Sequence, residues 1–85
     1  MAVYKVLIKP SAVKELEKIS TKDRRRIIAR IRQLGEDPRP AVCEKLSGQD
    51  KYRLRQAAYR VVYGVDDQAR TVVIVKVGHR RDIYR

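Results

Sequence analysis

The chain has 85 residues, and its 21 lysines and arginines against 10 acidic residues give a formal charge of +11. That length suits one domain over 1–85 with a small core, and so positive a balance points to a polyanionic partner, nucleic acid ahead of an acidic protein or a lipid surface. A single cysteine, Cys43, excludes an intrachain disulfide and fits a reducing cytoplasm. No apolar run approaches the ~20 residues that span a bilayer, and no secretory signal is evident, so no membrane partner is expected. No cluster of histidine, cysteine and carboxylates calls for a metal or another cofactor.

Val3 to Lys9 alternates Tyr4, Val6 and Ile8 with Lys5, Leu7 and Lys9. This predicts a first strand, stopped by Pro10, which cannot donate to a ladder. Ser11 offers an N-cap for a short helix to Ile19, with Ala12, Leu16 and Ile19 at helical spacing and Glu15 and Glu17 in the early turns. Thr21 can cap a longer helix to Leu34, whose apolar stripe is Ile27, Ile28, Ile31 and Leu34. The rest of that helix is basic: Lys22, Arg24, Arg25, Arg26, Arg30 and Arg32 face only Asp23. Two helices parted by two residues predict an antiparallel hairpin. Gly35, Pro38 and Pro40 end it, and 36–50 reads as a loop.

Three strands follow, at Lys51–Gln56, Tyr59–Asp66 and Arg70–Val77. Asp66-Asp67-Gln68-Ala69 reads as a hairpin loop, and Gly78 as the end of the last strand. Ala57-Ala58 lacks turn chemistry, so a bulge or a longer reversal is expected there. Parity sets Arg53 and Arg55 opposite Tyr52 and Leu54, and Arg60 and Val62 opposite Tyr59, Val61 and Tyr63. An arginine does not enter a core unpaired, so the arginine side is the open side. On the last strand Val73, Val75 and Val77 are expected to meet the helices. Val72, Ile74, Lys76 and Arg80 then join the open side. The fold class is α+β, in the order β-α-α-β-β-β: a small antiparallel sheet with a helical hairpin on one face. Its open face is basic, with Val62, Val72 and Ile74 as an apolar floor.

The Tyr-Arg-Val-Val-Tyr strand at 59–63, the Val-Gly-His-Arg-Arg-Asp-Ile-Tyr run at 77–84 and the order of elements resemble the RelE toxins of the RelE/ParE toxin–antitoxin superfamily. The resemblance covers almost the whole chain. It implies the same α+β fold and a ribosome-dependent endoribonuclease that cuts mRNA in the A site of the 70S ribosome. It also implies a cognate antitoxin that wraps and blocks the toxin, in complexes that can reach higher oligomers and bind operator DNA. By resemblance Arg60 holds the scissile phosphate, Arg80 serves the phosphate and leaving group, and Tyr84 stacks on the mRNA base. Arg53 and Arg55 stand where the best-known members carry two lysines, one of them cast as the base. Arginine stays protonated, so either another group takes the proton or catalysis rests on charge and positioning.

The chemistry asks for little, because RNA carries its own nucleophile in the 2′-hydroxyl. A protein that aligns that hydroxyl with phosphorus and neutralises the developing charge needs no metal. His79, the only histidine, is an acid–base candidate, though strand parity puts it on the valine side unless Gly78 turns the chain. Arg53, Arg55, Lys76, Arg81, Arg25 and Arg26 are the further candidates for RNA contact. Two other readings use the same parts: a ParE-like toxin that binds and inhibits DNA gyrase, and a basic nucleic-acid-binding module without catalysis.

Overall fold

A computed structural model describes residues 3–46 and 51–79. Its first strand, β1, is Lys5–Ile8. Pro10 then occupies the first turn of helix α1, Pro10–Glu17, where a missing N–H costs nothing. Lys9 is the N-cap and no side chain caps the helix, so the cap expected from Ser11 is absent. The second helix, α2, spans Thr21–Gln33, and its N-cap is Ser20 rather than Thr21: the Asp23 N–H donates to Ser20 Oγ at 3.4 Å. Strands β3 at Lys51–Gln56 and β4 at Tyr59–Asp66 have the expected bounds. Between α2 and β3 the predicted loop contains a two-residue strand, β2, at Glu44–Lys45. The last strand, β5, runs Thr71–His79, straight through Gly78 instead of stopping at it.

The five strands form one sheet in the order β1-β5-β4-β3-β2. Its hairpin-linked strands are antiparallel, as expected, but β1 lies parallel to β5, which makes the sheet mixed at that edge. Both helices cover one side. Ala12 and Leu16 of α1 and Ile27 and Ile31 of α2 share a core with Leu54, Val61, Tyr63, Val72, Ile74 and Val77. Ile27 and Ile31 are fully buried, each worth roughly 1.5–3 kcal/mol of transfer free energy.

Here β5 departs from simple alternation. Val62 pairs with Lys76, yet the next pair is Tyr63 with Ile74, so Val75 is an extra residue on β5. Such a bulge exchanges the faces of everything on one side of it. Val77 meets the helices and Lys76 the open side, as parity predicts. Beyond the bulge Val72 and Ile74 are the core residues, each 0% exposed, and Val73 turns outward opposite Gly64. The floor assigned to Val72 and Ile74 therefore belongs to half-buried Val73 and exposed Leu7, its partner on β1.

Two further contacts seat the helices. Past the end of β1, the outer edge of β5 is covered by α1: the Val77 N–H donates to Glu15 Oε1 at 3.1 Å. At the end of α2, the Gly35 carbonyl accepts from the N–H groups of Val3 and Tyr4 at 2.9 and 2.8 Å. A Cβ on Gly35 would stand 3.1 Å from the Tyr4 carbonyl oxygen, so a side chain there would press on the backbone just before β1.

The β3–β4 reversal is a tight two-residue turn, since Gln56 pairs with Tyr59. Ala57 holds φ at +54°, in the left-handed region, so this tight turn forms without a glycine.

Candidate functional site

The open side carries two cross-strand rows of basic residues. Arg53 on β3 pairs with Val62 on β4, which pairs with Lys76 on β5. One step along, Arg55 pairs with Arg60, which pairs with Gly78. Gly78 has no side chain to cover Arg60 from that flank. Four of the predicted site residues, Arg53, Arg55, Arg60 and Lys76, thus come together. Arg60 differs from expectation in one respect: it is 6% exposed, sunk into the face rather than standing on it. Its Nη1 lies 3.5 Å from the Tyr59 carbonyl oxygen, a weak contact.

An acidic residue sits among these arginines. Glu44 on β2 pairs with Arg53, and its carboxylate takes ion pairs from Nη2 of Arg53 and, at 3.3 Å, Nη2 of Arg55. The hydrogen bond from Arg53, with the charges of Arg55 and Arg60, holds the Glu44 carboxyl below the ordinary glutamate range. Nothing in the sequence marks Glu44 for this place. Its strand is two residues long, too short for a period to show, and only pairing with β3 brings it there.

The segment leading to Glu44 is anchored at several points. The buried Tyr63 hydroxyl donates to the Pro38 carbonyl at 2.8 Å. Arg39 makes a bidentate pair with Asp67 at 2.8 and 3.1 Å, and its Nε donates to the Tyr52 hydroxyl at 2.9 Å. Tyr4 completes the group, donating to Asp67 at 2.6 Å. The contact from Arg39, then that from Tyr4, holds the Asp67 carboxyl below its ordinary range, whereas burial pushes the Tyr63 phenol well up. Tyr52 and Tyr63 stack with ring centroids 5.7 Å apart. Tyr52 and Tyr63 are thus packing residues that fasten loop to sheet.

His79 lies on the other side of the sheet. It pairs with Tyr59 and meets that ring edge-on at 5.7 Å, beside a cavity of about 300 Å³ that Glu15, Lys18 and Ile19 of α1 also line. The strand is straight at Gly78, so parity holds. Arg25 and Arg26 are exposed on α2, in the helical layer across the sheet from Arg60. Arg80, Arg81 and Tyr84 lie outside the described residues. Among the described residues no group of three or more histidine, cysteine or acidic side chains could hold a metal ion. Nor is any helix there long and apolar enough to cross a membrane.

A family model described as the ParE toxin of the type II toxin–antitoxin system parDE matches residues 6–84. The chain belongs to that family. Over 34 residues this toxin is 50% identical to Toxin RelG of Mycobacterium tuberculosis, a stretch that makes up 40% of the chain and 39% of RelG. Its fold is similar to that of a chain in the toxin–antitoxin complex RelBE2 from the same organism, with a TM-score of 0.83, 28% identity and 94% of each chain covered. It is also similar to the intact E. coli RelBE toxin–antitoxin complex, with a TM-score of 0.77, 32% identity, and 89% of this chain and 95% of that one covered. The protein is a toxin of the RelE/ParE superfamily.

Proposed function

We propose that this toxin is a metal-independent endoribonuclease that cuts mRNA in the ribosomal A site, with the open sheet face as its working surface. The observation that carries the reading is the cross-strand cluster of Arg53, Arg55, Arg60 and Lys76. Guanidinium groups on adjacent strands can grip one phosphate at several oxygens and neutralise charge as it builds at phosphorus. Arg60, deep in the face, takes the scissile phosphate. Arg80 serves the leaving group, and Tyr84 orients the base by stacking. Arg81 and the helix arginines Arg25 and Arg26 contact RNA outside the reacting centre. The ribosome's part is to deliver the strand already bent, so that little conventional acid–base machinery is needed.

The antitoxin covers the same face. Leu7, Val73 and Val62 offer it apolar contact, and Arg60 and Lys76 offer opposite charge to an acidic amphipathic segment. Both solved structures compared above are toxin–antitoxin complexes. Higher oligomers and operator binding belong to that complex, and the cytoplasm is where all these partners meet.

Primer extension on a translated message, with and without the toxin, tests the reading. Cuts should appear on programmed ribosomes and not on the same mRNA alone, and equal cleavage of both would refute ribosome dependence. A second reading, inhibition of DNA gyrase, is favoured by the ParE description of the family model. No cleavage on ribosomes, together with lost gyrase supercoiling, would put it first.

A further inference from the structure

The proposed cleavage has one unmet demand: the attacking 2′-hydroxyl must lose its proton to an acceptor. Arg53 and Arg55 cannot accept one. His79 stands across the sheet, against Tyr59. The carboxylate bridging Arg53 and Arg55 is on the right face and is carried by a residue that no resemblance singles out. We propose that Glu44 is the proton acceptor of the cleavage step, released for that task when an RNA phosphate takes over its arginines.

The argument follows from what competes for the guanidinium groups. Without RNA, the carboxylate is seated on Arg53 and Arg55, with Arg60 on β4 close enough to be felt and Lys76 farther along the row on β5. So held, the group is a poor base, because its proton affinity is lowered by the cations around it. An RNA phosphodiester presents two charged oxygens to the same forks, the geometry arginine binds best. As the arginines turn to the phosphate, Glu44 loses the contacts that weaken it and gains an anionic neighbour, and both changes raise its proton affinity. At 47% side-chain exposure it can swing toward the sugar without opening the core. Binding the substrate and arming the base are then one event, and free toxin keeps its base suppressed.

The step balances. The 2′-hydroxyl proton passes to a Glu44 carboxylate oxygen as the O2′–P bond forms and the P–O5′ bond breaks. The departing 5′ oxygen takes a proton from water, and the proton on Glu44 returns to the hydroxide so formed. The products are a 2′,3′-cyclic phosphate and a 5′-hydroxyl end, with no oxidant, metal or co-reactant required.

This rests on the ribonuclease reading, and the test separates the two. Single-turnover cleavage on programmed ribosomes would be measured for wild type, Glu44→Gln and Glu44→Asp across pH 5 to 8. Glu44→Gln keeps the size of the side chain and one accepting oxygen for the arginines but cannot take the proton. Its maximal rate should fall at least about a hundredfold, with toxin binding to the ribosome unchanged or tighter. Glu44→Asp should keep part of the activity, and the acidic limb of the wild-type pH–rate profile should vanish in Glu44→Gln. Thermal melts of all three establish that the fold persists. Wild-type rates and an unchanged pH profile in Glu44→Gln would reduce Glu44 to a counter-ion and overturn the proposal, leaving ribosome-dependent cleavage intact. Absence of cleavage by wild type would remove both.

Discussion

The two sides of this sheet use their residues in opposite ways. The helix side is closed by apolar side chains from both helices and three strands, with Val61, Tyr63, Val72, Ile74 and Val77 at 0% exposure. The open side keeps Arg53, Arg55, Arg60 and Lys76 within two cross-strand rows and, among the described residues, sets the Glu44 carboxylate on Arg53 and Arg55. Like charges so close repel and contribute little to folding. The contrast teaches that stability is concentrated on one face, which lets the other hold a cluster of like charges. Which face a residue joins decides what its loss will do.

The strongest way to break this comparison is to put the same charge on each side of β5. Val72→Asp places a carboxylate in the helix-facing core and should cost roughly 4 kcal/mol or more, enough to unfold so small a domain. Val73→Asp, one residue on but facing outward, should cost within about 1 kcal/mol while weakening antitoxin binding. Urea unfolding decides between them, and equal losses would mean that Val75 does not reset the register.

Arg60→Ala should remove about 2–4 kcal/mol of transition-state stabilisation, read as lost cleavage on ribosomes. Because Arg60 is buried, its melting temperature should also drop, so Arg60→Lys is the sharper probe. It keeps the charge and loses the fork; recovery of folding without recovery of rate would place the effect in phosphate geometry.

Tyr63→Phe sharpens the structural side. It leaves the Pro38 carbonyl without its buried donor, for a loss of roughly 1–3 kcal/mol seen as a lower urea midpoint at unchanged slope. A smaller effect is expected from Asp67→Asn, with a sign set by pH. The Asp67 carboxyl is held below its ordinary range chiefly by Arg39, so its contribution is present above the unfolded-state value and is lost as pH falls through the folded one. The variant should be less stable than wild type at pH 7, and the gap should close in acid. Ala57→Gly is expected to raise stability by about 0.5–1 kcal/mol, because glycine adopts the positive φ without the Cβ penalty. No gain in the urea midpoint would mean that the turn is already relaxed.

Much of this was legible in short windows. The bounds of β3 and β4 follow from period-two alternation, and Ile27, Ile31 and Leu34 mark the buried stripe of α2. Arg53, Arg55 and Arg60 could be placed on one face because they lie in strands without irregularity up to Val62. The helix starts were less legible. Ser11 and Ser20 have the same capping chemistry, but Pro10 already occupies the first turn of α1, leaving Lys9 as the cap.

The amino-acid order by itself determined both helices, the four longer strands, the excess positive charge and the arginine side of β3 and β4, because each is set by residues a few positions apart. Tertiary structure alone decided three things. Val72, Val73, Ile74 and Val75 are all apolar, so nothing local says which of them the bulge sets aside; packing against α1 and pairing with β4 choose. The parallel pairing of β1 with β5 joins residues 66 positions apart, as Lys5 with Thr71 shows. Glu44 reaches the arginines only because Tyr63 and Arg39 pin the preceding loop to the sheet, letting a two-residue strand pair beside Arg53. Contacts of that range are invisible to periodicity, which reports only what neighbours along the chain share.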